Sequence, residues 1–132
     1  MKNIFSRLVA IPRLALAATQ LQETVQSAQV DPAIVAELKA HPELAGVITE
    51  FNAEWSAFKS DLDAMKKVNV GNFFGRLGKL VLDGTTLEAN VEAVQHDAGI
   101  AASLKQCPTL SASIAEASAE WRQVEAAFDA IK

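Results

Sequence analysis

The chain has no tyrosine, one cysteine, two histidines, four prolines and six glycines among its 132 residues. With Cys107 alone, no disulfide can form within the chain, so a folded state must rest on its packed core. His41 and His96 stand apart, and neither gains a second ligand at metal spacing. Phosphate-loop, dinucleotide, zinc and Ser/His/Asp patterns are missing as well. Alternating β-branched runs are almost absent, which argues against a sheet. No apolar run reaches the roughly 18–20 residues that cross a bilayer. The formal charge of −4 excludes the basic footprint of a general nucleic-acid binder. What the chain does have is helix-forming material: half of it is hydrophobic, and alanine alone fills 24 positions. An all-α protein follows.

The dominant pattern is a repeat. DPAIVAELKAHPELAGVITEFNAEWSAFKSDLDAMK, residues 31–66, returns without a gap as DAGIAASLKQCPTLSASIAEASAEWRQVEAAFDAIK, residues 97–132, with 15 of 36 positions identical. The period of 66 reads as tandem duplication of a helical unit. Each unit, 1–66 and 67–132, is expected to be a long-short-long set of three helices, packed with the other as one domain.

Taken in order, the first helix is expected over about Asn3–Ser27. Ile11, Leu14, Ala18, Leu21, Val25 and Ala28 form its seam, and Pro12 either kinks it or starts a new helix. Asp31-Pro32 is a cap followed by proline at the first helical position, opening a short helix to Ala40. Pro42 starts a long helix to about Lys66 with the seam Leu44, Ile48, Phe51, Trp55, Phe58, Leu62, Met65. The second unit repeats the plan: Asp97 caps, Pro108 starts, and Leu110, Ile114, Ala117, Trp121, Val124, Phe128, Ile131 form the seam. NFFGRL at 72–77 echoes NIFSRL at 3–8 with an offset of 69, which places a three-residue deletion near Asp83-Gly84-Thr85-Thr86, with a break or bend there. One unit cannot bury its own seams. The two are therefore expected to pack about a pseudo-two-fold axis as a four-helix core with short end caps, the alternative being seams shared between chains.

Residues 1–30 carry a net +2, from Lys2, Arg7 and Arg13 against Glu23, whereas 31–66 carry −4. Arg7 and Arg13 interrupt the apolar N-terminus, so neither a cleavable signal nor a transmembrane span is expected, and the location is read as intracellular or within a particle or complex. Cations at a helix start oppose the macrodipole, so helix stability does not account for Lys2, Arg7 and Arg13 or for Arg76 and Lys79. Antiparallel packing would bring Arg7 and Arg76 to Asp61, Asp63, Glu125 or Asp129. A partner protein would explain them too, as would an anionic membrane surface meeting Phe5, Phe73 and Phe74 beside the charges.

Trp55 and Trp121 are read as core anchors, with a ligand pocket between them as the sharper alternative. Glu50, Glu54, Glu116 and Glu120 lack the Glu-x-x-His partners of a di-metal bundle site and are read as a solvated face. No catalytic, cofactor or metal residue is assigned, and no enzyme activity is expected. The leading expectation is a structural or adaptor subunit of a larger assembly, such as a virion or secretion-type machine, contacting other protein subunits by helix packing. The alternatives are a peripheral membrane protein and a carrier of a small hydrophobic ligand.

Overall fold

The computed structural model describes residues 4–69 and 71–132, with side chains described from residue 6 onward. Six α-helices follow one another: α1 Ile4–Val30, α2 Pro32–Ala40, α3 Pro42–Ala64, α4 Phe73–Gln95, α5 Ala98–Leu104 and α6 Pro108–Asp129, with a 3₁₀ turn at Met65–Lys67 after α3. No strand occurs among the described residues.

The helix starts follow from local chemistry. The Asp31 carboxylate accepts from the backbone N–H of Ala33 at 2.9 Å, and Asp97 accepts from that of Ile100 at 3.0 Å. His41 and Cys107 precede prolines and are held out of the helical region, with ψ of 75° and 77°, which separates α2 from α3 and α5 from α6. Neither supplies a side-chain cap to the helix it precedes. The α6 start is instead capped from α2: Glu37 accepts from the N–H groups of Thr109 and Leu110 at 3.0 and 2.9 Å.

Neither a new helix at Pro12 nor a break at 83–86 occurs. Pro12 lies within α1 without ending it. It sits on the solvent face with Leu8, whose carbonyl loses a helical partner, so water can take that role. Nor does α4 break at 83–86; it is continuous from Phe73 to Gln95. The buried positions Leu14, Ala18 and Leu21 of α1 stand 66 before Leu80, Gly84 and Leu87 of α4, so no deletion falls between them. The three-residue difference lies at the helix starts: α1 is helical from Ile4, whereas α4 starts at Phe73, the equivalent of position 7.

Packing runs across the chain's midpoint. α1 lies against α6 and α3 against α4, with α2 on α6 and α5 on α3. Glu54–Asn90, Asp61–Lys79 and Ala64–Arg76 contacts step in opposite senses along α3 and α4, so the pair is antiparallel. Asn90 donates to Glu54, and Thr24 donates to Glu120, the two residues 66 positions away in each case. The main core takes Leu14, Leu21, Trp55, Phe58, Leu62, Leu80, Leu87, Trp121, Val124 and Phe128 from all four long helices. A second, smaller cluster brings Ile34 with Ile100, Leu38 with Leu104, Leu44 with Leu110 and Ile48 with Ile114, together with the buried thiol of Cys107.

Gly84 is a packing residue. A Cβ built on it would approach Phe58 Cε1 to 2.9 Å and the Phe128 ring more closely still. Those rings meet edge to face with centroids 5.6 Å apart, and both are buried in the close-packed core. Glycine to alanine inside a helix ordinarily stabilises by about 0.5–1 kcal/mol. Here Gly84→Ala is expected to destabilise by about 1–3 kcal/mol through overpacking. Adding Phe128→Leu should recover part of that loss, since it removes the ring in the way. Chemical denaturation of the two variants checks this, and a stabilised Gly84→Ala protein would refute the packing role.

Candidate functional site

The cations at the helix starts divide by role. Lys2 lies outside the described residues, as does the side chain of Phe5. Arg76 reaches back from α4 and donates from Nη1 to the Ala64 carbonyl at 2.8 Å, satisfying a backbone acceptor at the α3 C-terminus. Lys79 lies 3.4 Å from Asp61, an acid named among the expected partners, though for Arg7 and Arg76. Arg7 is half-buried, and its Nε finds no acceptor. Arg13 is exposed. Asp63 and Asp129 are engaged by lysines of their own segments, Lys59 and Lys66 for the first and Lys132 for the second.

The aromatic pair at the start of α4 is split. Phe73 is buried in the core, while Phe74, edge-on to it, is 69% exposed. Phe74 heads a solvent-facing stripe along α4 that continues through Gly78 to Leu82, which is 66% exposed. α1 carries the matching stripe, Leu8, Pro12 and Leu16, the last 64% exposed. Spacing of i, i+4, i+8 puts each set on one helix face. Arg13 and Lys79 flank the stripes at positions 66 apart. These apolar faces were not singled out from the sequence, although their spacing was readable there.

Both tryptophans are buried, but their settings differ. Trp55 donates its indole N–H to Gln22 and stacks on Phe51 with ring centroids 6.2 Å apart. Trp121 lines an apolar cavity of about 320 Å³ between the long helices, and Trp55 is not on its wall. Leu21, Val25, Leu87, Val91, Ile48 and Ile114 supply most of the rest of its lining, with Glu50 and Glu54 at the rim. The expected pocket between the two indoles is thus a pocket beside one of them.

One acidic residue is buried away from solvent. Asp61 faces Asp83 and Lys79, and its Oδ2 has no donor unless a proton is held between the two carboxyls. Burial first, then the hydrogen bond and charge of Asp83, push the Asp61 carboxyl up to about 6, against the opposing pull of Lys79. Burial likewise raises the Cys107 thiol, aided by Glu37 and Glu43, so at neutral pH it stays protonated and poorly nucleophilic. Among the described residues no group of three metal-binding side chains forms, and no helix is long and apolar enough to cross a membrane. No protein-family model, curated protein or solved structure matches the chain.

Because the folded state raises the Asp61 pKa from 3.8 to about 6, it binds the proton more tightly than the unfolded chain within that window. Stability therefore falls as pH rises from about 4 to 6 and stays reduced above it. Asp61→Asn keeps the neutral shape and gives up only a partly exposed ion pair, which is worth little. Thermal melts should show the variant more stable by about 1–2 kcal/mol at pH 8 and near wild type at pH 4. An equal shift at both pH values would contradict the buried proton.

Proposed function

We propose that this chain is a non-enzymatic structural or adaptor subunit that works by helix packing, with the solvent faces of α1 and α4 as its contact surfaces. The reading includes an internal duplication: two long-short-long units, 1–66 and 67–132, related by a pseudo-two-fold axis. Supporting it, the hydrogen bonds Thr24–Glu120 and Asn90–Glu54 are equivalent under a shift of 66, as are the four residue pairs of the smaller core cluster.

One observation carries the functional reading. After both long-helix seams have been buried, α1 and α4 still show a second apolar stripe, at equivalent positions and each beside a cation. Leu16 and Leu82 gain nothing for the isolated fold in such places, and burial of each against a partner would contribute about 1.5–3 kcal/mol. The membrane alternative has less support. Phe73 is in the core, and α1 and α4 pack on α6 and α3 rather than on each other, so their outer faces point away from one another. A flat lipid surface would reach one stripe at a time.

The occupant with most support is a second copy. The stripes are flanked by cations, with no acid before Glu23 on α1 or Asp83 on α4, whereas residues 31–66 carry −4, so a head-to-side contact between copies is charge-complementary. Two such faces per chain permit open growth. Light scattering should therefore give a mass that rises with concentration and falls with salt. Leu16→Glu combined with Leu82→Glu should hold the mass at 14.1 kDa. A wild-type monomer at every concentration would overturn self-assembly.

A further inference from the structure

The two equivalent grooves of the bundle have different chemistry. Between α1 and α6 runs a groove of about 520 Å³ lined by polar groups such as Gln20, Thr24, Ser27, Ser113, Glu116 and Glu120. Between α3 and α4 the corresponding groove opens into the apolar cavity beside Trp121. Positions 66 apart account for the difference: Ser27 becomes Ala93, Ala28 becomes Val94, and Ser113 stands where the first half has Val47. The depth has its own cause. Phe51 covers the face of Trp55, while Ala117 occupies the same register four residues before Trp121. Replacing a phenyl ring by a methyl group removes the cover and leaves the void.

We infer that the α3–α4 cavity is a binding site for a small hydrophobic amine, whose apolar body lies against Trp121 and whose ammonium sits at the rim with Glu50 and Glu54. Three observations meet in this assignment. The volume, about 320 Å³, falls at the lower end of the roughly 300–1,000 Å³ of ligand pockets, which suits a short alkyl or single-ring body. The wall is aliphatic and aromatic, and such cavities take up apolar groups in preference to water. The lining contains two carboxylates and no lysine, arginine or histidine, so its charge favours a cation and disfavours a fatty acid. Glu54 is fixed by the amide of Asn90, whereas Glu50 has no hydrogen bond or ion pair among the described residues and is free to meet an ammonium. Glu50 is exposed and Glu54 half-buried, and a hydrogen bond from an ammonium to either carboxylate is charge-assisted, the stronger kind.

The test titrates full-length protein with octylamine, 1-octanol and octanoate at pH 7, all below their aggregation limits, and follows tryptophan emission and binding heat. The expected result is saturable one-site binding of octylammonium, at least tenfold tighter than octanoate, with octanol between them. Glu50→Gln with Glu54→Gln should bring octylammonium to the octanol affinity and leave octanol binding intact. Ala117→Phe restores the missing ring and should abolish binding of all three. Ala117→Leu serves the same purpose if circular dichroism shows the phenylalanine variant unfolded. Absence of saturable binding overturns the site. Octanoate binding as tight as octylammonium overturns the ligand class, and unchanged binding in the Ala117 variants overturns the location.

Discussion

Every long helix in this protein finds its principal neighbour in the other half of the chain. α1 rests on α6 and α3 on α4, and only the shorter-range connections stay within a half. The reason is the width of the seams. Leu14, Ala18 and Leu21 on α1, or Trp55, Phe58 and Leu62 on α3, present apolar stripes that a single adjacent helix cannot cover. Burial of each large side chain is worth about 1.5–3 kcal/mol, so leaving a seam open in either half would exceed the net stability of a domain this size. Polar contacts then fix register. Thr24–Glu120 and Asn90–Glu54 tie the C-terminal part of α1 and of α4 to the middle of α6 and of α3, and Glu37 joins α2 to the first turn of α6.

Within that arrangement, core positions 66 apart differ in volume in a compensating way. Gly84 leaves room for the rings of Phe58 and Phe128; 66 positions away stand Ala18, Val124 and Leu62, where a larger small residue goes with smaller large ones. Such compensation keeps density constant, as close packing requires. Phe51 and Ala117 are not compensated in this way, and there the interior stays open. An uncompensated exchange at one point of an otherwise balanced core is the physical basis for placing a ligand site there.

Much of this was legible in the residues. Asp31, Asp97, Pro32, Pro42 and Pro108 marked helix starts because capping and proline chemistry act within three or four residues. The seams were legible because burial imposes a period. Phe73 could have been assigned to the core by the same rule, since Phe73, Leu77, Leu80, Gly84 and Leu87 step by 4, 3, 4, 3. Gly84 was misread as a break because glycine signals both flexibility and close approach, and only the facing rings distinguish the two. Arg76 was expected to seek an acid, but a carbonyl at the end of α3 lay nearer. The cavity required three dimensions: the Phe51/Ala117 difference is visible in the repeat, but its consequence depends on what Trp121 faces.

The dependence of each half on the other is tested most directly by producing residues 1–69 alone and measuring helix content and mass together. The pairing of helices across the two halves predicts either an unfolded peptide or a helical dimer in which α1 of one copy packs on α3 of the other. A helical, cooperatively melting monomer would contradict it, because such a half would have buried its own seams.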